Sequence, residues 1–403
     1  MRIHLISNLF SPDELAGAAL YTDLARFLRD RSHDVRVTST FSYYPAWQVK
    51  SDDSGILYRD ESFEGIPVRR VRMHVPKRPN AVRRLLSDIT FLVNIVRKGR
   101  FQGWTPDVVV TALPMLSQCV AQRCIYTGTK VGRMIVVQDF VVDAAIDLGI
   151  LNVPILSKLL RSIERGALRS ANCISTISPE MLSKLVKYVG EGRRCVFIPN
   201  WIHGSLQEQI NKQRILKPIR DQKSLFYSGN LGVKQGLAEF LETYKSSDIS
   251  GLGWKLAIHG GGAKRDSLVA QVGKPPGCSL GGILDEESYI NALLTCSACL
   301  VTQRPGVGAN FLPSKLLPAI ATGTPVLAVC ERNSPLALEV QHGRFGVVVP
   351  PDSPNEVRNI IKRWTRHPDE LVQLGQNSLL HGQLYHRERI LLQYEKELAL
   401  LVS

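Results

Sequence analysis

The stretch IHLISNLFSPDELAGAALYTDLARFLRDRSHDVRVTST, residues 3–40, decides the fold class of this chain. It begins with a short apolar run and passes through a loop that contains Pro12 and Gly17. A segment with apolar residues at helical spacing follows, and then the alternating run DVRVTST. Strand, helix and strand in this order are typical of a βαβ unit, whose strands pair in parallel with helices on the faces of the sheet. The stretch therefore predicts an α/β protein.

The same alternation recurs along the rest of the chain. Apolar runs such as PDVVVTA and GRMIVVQDF alternate with helical runs up to Asn200, which completes one doubly wound half. The polar segment 203–222 is the candidate linker. A second series of strands and helices then begins. We expect a domain over residues 1–200, a second over residues 201–385, and a helix over residues 386–403 that packs back on the first domain.

Length and composition are those of a globular chain. The 403 residues are 44% hydrophobic, which suffices for two or three domain cores. No segment reaches the roughly 18 uninterrupted apolar residues that a membrane span needs. The apolar run of the N-terminus is too short for a signal peptide and is interpreted as the first strand. These features predict a cytoplasmic location.

The eight cysteines are scattered and predict no metal site. Cys296 and Cys299 form the one C-x-x-C pair, inside an apolar run. A zinc site would need a second pair or a histidine cluster, and none is near in the sequence. Reduced, buried thiols are the prediction.

The formal net charge of +14 is unevenly distributed. Between Ile66 and Gly103 there are ten Lys or Arg residues and one acid, Asp88. Nucleic acid, an anionic membrane and a phosphorylated substrate are the candidate partners, and no recognised motif supports nucleic acid. The middle of this region, LLSDITFLVNIV, is apolar, so it is either a basic helix that lies on a membrane or a core helix with solvated ends. The cations that would contact a membrane or an acceptor there are Arg83, Arg84, Arg97 and Lys98.

Several glycine-bearing turns follow predicted strands, where open α/β sheets bind their ligands. One contains Gly17, and the others lie within residues 227–236, 259–265 and 305–315. Glycine lets a backbone approach a ligand closely, although a glycine turn can equally reflect tight packing alone. Neither G-x-G-x-x-G after the first strand nor a P-loop motif is present, so a dinucleotide site or a P-loop nucleotide site is not favoured.

The segment PSKLLPAIATGTPVLAV, residues 313–329, places a hydroxyl and a cation at the start of an apolar helix. Lys234, in the turn YSGNLGVKQG, is a second cation in a turn of this kind. Backbone amides and lysine charges attract anions. Ser314, Lys315 and Lys234 therefore predict one wall of a phosphate-binding site.

Acid–base candidates are fewer. Asp139 follows the strand MIVVQ and could act as a general base or orient an acceptor hydroxyl, with a helix N-cap as the alternative. Glu164 lies in a helical run with Arg161 and Arg165, for which a surface ion pair is expected.

Six segments in fixed order resemble the retaining family 4 glycosyltransferases, in the branch of the colanic-acid and N-acetyl-fucosamine transferases. The resemblance spans nearly the whole chain, and its segments are NLFSPDELAGAA, VVQDFVVDAAIDLG, FIPNWI, YSGNLGVKQGL, IHGGGAKRDSL and FLPSKLLPAIATGTPVLA. It implies the GT-B fold, with two doubly wound Rossmann-like domains facing a central cleft. It also implies sugar transfer with retention from a UDP- or GDP-linked nucleotide-sugar, without a metal or other cofactor. The acceptor would be lipid-linked or a saccharide, in polysaccharide or glycolipid biosynthesis, and the protein itself would be cytoplasmic or peripheral on the inner face of the plasma membrane.

The resemblance also implies site residues. Gln138, Asp139 and Lys234 would be catalytic, with the first two facing the transferred sugar or the acceptor. The donor would bind mainly to the second half, with Gly17 opposite. The donor-binding residues would be Gly17, Gly229, Asn230, Lys234, Gly261, Pro313, Ser314 and Lys315.

Two departures from the family pattern leave alternatives open. Asn310 and Pro318 occupy the places of two glutamates found in many members, one of which commonly holds the ribose. Gln138 precedes Asp139, so the usual histidine of the cleft is not evident. A sugar-nucleotide 2-epimerase of the same fold and a non-catalytic scaffold are the competing hypotheses. Conversion of the nucleotide-sugar in the absence of an acceptor would identify the epimerase. A lack of thermal stabilisation by any nucleotide would favour the scaffold.

Overall fold

A computed structural model describes residues 1–13, 16–43, 46–76, 81–149, 151–215, 223–262, 264–272 and 276–402. The chain divides into two compact units, Met1–Asn200 with Glu388–Ser403 and Trp201–Arg387. Each unit contains its own sheet, in which the strands are parallel with one exception in the first unit. The predicted α/β class with two doubly wound halves is confirmed.

The strands and helices of the first unit follow the predicted alternation. The strands are β1 (Arg2–Ile6), β2 (Asp34–Thr40), β3 (Tyr58–Phe63), β4 (Ile66–Val71), β5 (Val108–Leu113), β6 (Gly132–Val137), β7 (Cys173–Thr176) and β8 (Arg194–Phe197). The helices are α1 (Ala16–Asp30), α2 (Ala81–Lys98), α3 (Leu116–Tyr126), α4 (Val141–Asp147), α5 (Pro154–Arg169) and α6 (Pro179–Val189).

In the described residues of the first unit, eight strands form one sheet in the order β3-β4-β2-β1-β5-β6-β7-β8. Only β3 and β4 pair antiparallel, as a hairpin at the edge. All six residues of β5 are buried, because a parallel strand in the middle of the sheet is covered by helices on both faces. This explains the continuous apolar run of that strand.

The second unit repeats the pattern. Its strands are β9 (Ser224–Ser228), β10 (Lys255–His259), β11 (Cys278–Gly281), β12 (Ala298–Thr302), β13 (Val326–Val329) and β14 (Gly346–Val349). Its helices are α7 (Gly204–Ile215), α8 (Leu237–Ser246), α9 (Arg265–Val272), α10 (Glu286–Thr295), α11 (Leu316–Thr322), α12 (Pro335–Gly343), α13 (Pro354–Arg366) and α14 (Pro368–Gly382). The sheet order is β11-β10-β9-β12-β13-β14, with every described pair parallel.

The last helix, α15 (Arg387–Ala399), belongs for most of its length to the first unit. Glu395 accepts hydrogen bonds from Arg31 Nε at 2.7 Å and pairs with His33 Nε2 at 2.8 Å. Glu397 accepts two hydrogen bonds from Arg194, at 2.8 and 2.9 Å. These bonds attach the last helix to the first unit, at the turn that precedes β2 and at β8. Among the described residues, no helix has both the length and the apolar character needed to cross a membrane.

The prediction of a linker over residues 203–222 is wrong for its first part. Residues 204–215 form α7, with Leu206 and Ile210 buried one turn apart. Gln213 Nε2 donates to the carbonyl of Glu287 at 2.9 Å, so the helix packs within the second unit. The polar composition was misleading because α7 buries only two apolar side chains, Leu206 and Ile210, together with the polar Gln213. Residues 216–222 of the predicted linker lie outside the described residues.

Candidate functional site

Three turns of the second unit begin at one edge of its sheet. β10, β9 and β12 are neighbours and run parallel, so their carboxyl ends lie side by side. The turns that follow them begin at Gly229, Gly260 and Gln303. This is the edge at which open α/β sheets bind ligands. The structure therefore brings the predicted residues of these three turns to one edge.

The glycines of the first two turns pack against each other. Gly229 N donates to the carbonyl of His259 at 3.1 Å, and Leu231 N donates to the carbonyl of Gly261 at 2.8 Å. A Cβ atom at Gly260 would stand 1.9 Å from the Gly229 carbonyl oxygen, and one at Gly262 would stand 2.4 Å from Asn230 Oδ1. All three of Gly229, Gly260 and Gly262 have φ between +139° and +147°, where side chains are strained. Tight packing alone accounts for these glycines, and it fixes the shape of the edge.

The ammonium group of Lys315 is enclosed at this edge. Its Nζ atom lies 3.5 Å from the centre of the Tyr227 ring, and a Cβ atom at Gly229 would stand 3.4 Å from it. Nζ is shielded from solvent and has no hydrogen-bond partner among the described residues. Burial disfavours the charged form and lowers the pKa of Lys315 to about 7, which the nearby Cys299 opposes. An anion bound beside Nζ would supply the partner that the lysine lacks.

Lys234 is placed in a similar way from the turn after β9. It lies in the short 3-10 turn Val233–Gln235, and its Nζ atom is 4.2 Å from the centre of the Phe311 ring. Its carbonyl accepts a hydrogen bond from Arg304 N at 3.0 Å, which links this turn to the one after β12. The structure thus has two lysines at one sheet edge, each over an aromatic ring.

The remaining predicted donor residues of the second unit differ in exposure. Asn230 and Ser314 are exposed, so their side chains are available to a ligand. Pro313 is buried, and its carbonyl accepts a hydrogen bond from Leu316 N at 3.1 Å, which begins α11. Gly261 contributes its carbonyl to the bond with Leu231. Of this group, Asn230 and Ser314 are the ones whose side chains can reach a ligand directly.

Sequence reasoning missed the aromatic rings beneath the two lysines. Tyr227 is fully buried and its hydroxyl donates to the carbonyl of Asn230 at 3.0 Å. Phe311 is buried in the turn that precedes Pro313. A ring face attracts a cation and also excludes water from it. The signal in the sequence was an aromatic residue two positions before Gly229 in one turn, and another two positions before Pro313 in the other.

The two residues at the places of the family glutamates offer no carboxylate. Asn310 ends a 3-10 turn and is 1% exposed, and Pro318 lies in the first turn of α11, where proline is tolerated. No group of three or more His, Cys, Asp or Glu residues that could hold a metal occurs in the described part of the chain. Cys296 and Cys299 are both buried thiols, and neither forms a disulfide bond with a described residue.

In the first unit, Gln138 follows β6 and is fixed by neutral partners. Its Nε2 donates to Asn200 Oδ1 at 2.8 Å, and its Oε1 accepts from Asn200 Nδ2 at 2.7 Å. Nε2 also lies 3.4 Å from the hydroxyl of Tyr21, which is in α1, the helix whose first turn contains Gly17. The structure thus brings Gln138 and α1 together at the carboxyl edge of the first sheet.

Asp139 is half-buried between β6 and α4. The helix begins at Val141 with Phe140 at its N-cap and no side-chain cap bond. The alternative prediction, that Asp139 is a helix N-cap, is therefore wrong.

Glu164 corrects another prediction. It is fully buried rather than on the surface, and its Oε2 accepts a hydrogen bond from the Tyr188 hydroxyl at 2.6 Å. Burial raises the pKa of Glu164 to about 7. Arg161, its predicted partner, instead pairs with Asp143 at 2.9 Å. The prediction failed because the ring of Tyr188 comes from the next helix and covers the carboxyl group.

The four predicted membrane cations lie at the two ends of α2. Arg83 and Arg84 are in its first turn, and Arg97 and Lys98 are in its last. At 1.5 Å per residue, the two pairs are roughly 21 Å apart. One face of the helix packs in the core through Phe91 and Ile95. The other face exposes Leu85, Leu86, Ile89, Val93 and Val96, which we call the α2 stripe.

Comparison with known proteins gives consistent matches for both units. The model of the glycosyl transferase 4-like domain matches residues 16–201, and the model of the glycosyl transferases group 1 matches residues 208–380. The chain is 30% identical over 352 residues to WcaI of Escherichia coli (strain K12), named as a candidate colanic acid biosynthesis glycosyl transferase. The match covers 83% of this chain and 85% of that protein.

Solved structures agree on the fold. The chain resembles sucrose-phosphate synthase from Thermosynechococcus elongatus with a TM-score of 0.73 and 16% identity, over 100% of this chain and 99% of that one. It resembles HepE of Anabaena, solved with UDP and glucose, with a TM-score of 0.68 and 14% identity, over 99% of each chain. At these identities the likeness shows the fold alone.

Proposed function

This chain belongs to the family 4 glycosyltransferases of the GT-B fold, enzymes that take a sugar from a nucleotide-sugar donor, and we propose the details of its reaction from that premise. It transfers the sugar to an acceptor hydroxyl with retention of anomeric configuration and without a metal ion. The acceptor is lipid-linked, or a saccharide, in polysaccharide or glycolipid biosynthesis. The name of its relative WcaI, which refers to colanic acid biosynthesis, supports the polysaccharide assignment.

The observation that carries this proposal is the ammonium group of Lys315, which is enclosed against the Tyr227 ring and has no hydrogen-bond partner in the described part of the chain. A nucleoside diphosphate gains negative charge as it leaves the sugar. Lys315 and Lys234, both at the carboxyl edge of the second sheet, are cations that can stabilise this charge in place of a metal. The exposed Asn230 and Ser314 add neutral hydrogen-bonding groups at the same edge.

The base of the donor is uracil or guanine. UDP is the nucleotide present with HepE of Anabaena, which has the same fold, and this supports a UDP-linked donor as the first to test. In the first unit, Asp139 accepts a proton from the acceptor hydroxyl or orients it. Gln138, whose amide is already fixed by Asn200, orients the sugar or the acceptor. Gly17 lets the first turn of α1 approach the ligand.

An acceptor attached to a lipid would be met at a membrane surface. The exposed stripe of α2, with Arg83 and Arg84 at one end and Arg97 and Lys98 at the other, supports peripheral binding at the cytoplasmic face of the membrane.

A thermal-shift panel tests the donor assignment. The native chain, Lys315→Met and the control Lys245→Met are heated with UDP, GDP, ADP, CMP and their sugar derivatives. Lys245 is an exposed lysine in the last turn of α8, so Lys245→Met removes one positive charge from the second unit at a position other than the N-terminus of α11, where Lys315 lies. We expect one nucleotide class to raise Tm of the native chain and of the control but not of Lys315→Met.

No shift with any nucleotide would overturn the proposed site. Retention and metal independence have separate readouts, which are the anomeric configuration of the product by NMR and turnover in the presence of EDTA. A product with inverted configuration would overturn retention alone, and loss of turnover in EDTA would overturn metal independence alone.

A further inference from the structure

The helix α5 has an exposed apolar stripe that the reaction does not explain. Ile155, Leu159 and Ile163 recur at every fourth position, and Val153 is the N-cap residue of the helix. Ile155 is 81% exposed, Val153 56% and Leu159 54%. We call these four residues the α5 stripe. Together with the α2 stripe they make up nine of the 21 large apolar side chains that are exposed among the described residues, so exposure is concentrated on two helices.

The inner face of α5 is packed against the first unit. Ser157, Glu164, Ala167 and Leu168 are the buried residues, and Glu164 Oε2 accepts a hydrogen bond from the Tyr188 hydroxyl. The helix also packs against α3 and α6. The helix therefore cannot turn its stripe inward without giving up these contacts, and the stripe needs a partner from outside.

The two stripes lie on the same side of the first sheet. Each of the connections that contain α2, α3 and α5 leads to a parallel strand further along the sheet in the same direction, and right-handed crossovers put such helices on one face. α3 packs against both α2 and α5. α2 follows β4, and α5 follows β6 after the short helix α4. Each helix leads back to the start of a parallel strand, so each begins on the side of the carboxyl edge of the sheet, the edge at which Gln138 and Asp139 follow β6.

The charges on α5 and α2 indicate which kind of partner the two stripes bind. Along α5 the cations are Lys158, Arg161, Arg165 and Arg169, of which Arg161 is paired with Asp143 of α4, and the one acid, Glu164, is buried. Along α2 the one acid, Asp88, accepts a hydrogen bond from Ser117 N at 3.2 Å in the adjoining helix. The surface thus combines apolar stripes with cations and exposes no carboxylate from either helix. A second copy of this chain would set cations against cations, whereas an anionic lipid surface complements both the charge and the apolar side chains.

We propose that the α5 stripe and the α2 stripe form one docking surface for an anionic bilayer. Docking through α5 in addition to α2 fixes the orientation of the first unit on the membrane. The carboxyl edge of its sheet, with Gln138 and Asp139, is then held near the lipid head groups, where a lipid-linked acceptor presents its sugar. The contribution of α2 and the role of the acceptor rest on the proposed function, but lipid binding by the α5 stripe does not.

Vesicle co-sedimentation tests the α5 stripe directly. The probe is phosphatidylcholine vesicles with and without phosphatidylglycerol. The variant Ile155→Gln/Leu159→Gln removes two apolar side chains without changing charge, and we expect binding to anionic vesicles to fall by about tenfold or more. Lys158→Gln should lower it by about fivefold, on anionic vesicles only. The matched control is Val372→Gln/Leu380→Gln, an equally exposed apolar pair on α14 of the second unit, which should bind as the native chain does.

The nucleotide thermal shift separates this proposal from the proposed function. It should be unchanged in every α5 variant, because α5 is in the first unit and the lysines of the donor site are in the second. Native-like lipid binding by Ile155→Gln/Leu159→Gln would overturn the role of α5. So would a native dimer in solution that this variant converts to a monomer, because the stripe would then bind a second copy.

Discussion

The carboxyl edges of the two sheets carry opposite kinds of side chain. At the second sheet, Lys315 is enclosed against Tyr227 without a hydrogen-bond partner in the described residues, and Lys234 lies over Phe311. At the first sheet, Gln138 is bonded on both of its amide atoms to Asn200. One edge holds an unsatisfied charge, and the other holds a neutral group whose bonds are already made.

This difference indicates how the two edges act on a ligand. A buried cation without a partner is costly until an anion arrives, so the second edge gains free energy from binding phosphate. A satisfied amide gains little from a new partner, but it holds its orientation. The second edge therefore binds through charge, and the first positions through geometry. The predictions below test this contrast at single residues.

The largest expected effect is the pH dependence of nucleotide affinity. Burial lowers the pKa of Lys315 to about 7 in the free protein, and a bound diphosphate should raise it again. Above pH 7 binding must then take up a proton, so Kd should rise about tenfold per pH unit up to about pH 10. Below pH 7 Lys315 is protonated with or without nucleotide, so it adds no pH dependence to Kd. Calorimetry in two buffers of different ionisation enthalpy measures the proton uptake.

Lys315→Met is the control for that slope, because methionine fills similar space without a charge. Its weaker binding should lose the steep rise in Kd above pH 7. Although the substitution weakens nucleotide binding, it should stabilise the protein in the absence of nucleotide. The pKa of Lys315 is lower in the folded than in the unfolded protein, so the stability of the native chain rises between pH 7 and about pH 10. Below pH 7 Lys315 is charged in the folded protein, and the free-energy cost of burying that charge is largest there. The variant should thus melt roughly 5 °C higher at pH 7 without nucleotide. A lower melting temperature of the variant would mean that Lys315 stabilises the free protein, and would contradict the view that its buried charge is costly until an anion binds.

The second effect concerns turnover. Lys234 is only half-buried, so Lys234→Met should leave the melting temperature of the free protein nearly unchanged. The lost cation should lower kcat by about 10²-fold, by analogy with the removal of one oxyanion donor. Lys245→Met, with its charge at the far end of α8, should turn over normally. Equal kcat for both variants would remove Lys234 from the reaction.

The fold was predictable because its signals are local. The alternation of apolar runs and helical spacing identified both sheets, and parallel strands then had to bring Gly229, Lys234 and Lys315 to one edge. What lies under each lysine was not predictable. The rings of Tyr227 and Phe311 reach the lysines through the packing of neighbouring turns, which no spacing rule describes.

The same limit explains the two errors at polar residues. Glu164 has basic neighbours in sequence, but burial is decided by Tyr188 on the next helix. Residues 204–215 are polar enough to suggest a linker, yet Leu206 and Ile210 sufficed to seat α7. In both cases the tertiary contact outweighed the composition.

The smallest expected effect tests the first edge. Gln138→Ala and Asn200→Ala each break the reciprocal amide pair, and the double variant measures their coupling, which should be about 1 kcal/mol in the free energy of unfolding. Nucleotide affinity should stay native in all three variants, because the charges of the second edge are untouched. If Asn200 acts on the reaction only by orienting Gln138, then Asn200→Ala lowers kcat in the native background and has no further effect in Gln138→Ala. Additive losses in kcat would show instead that each amide contacts the ligand by itself, and the first edge would then bind rather than position.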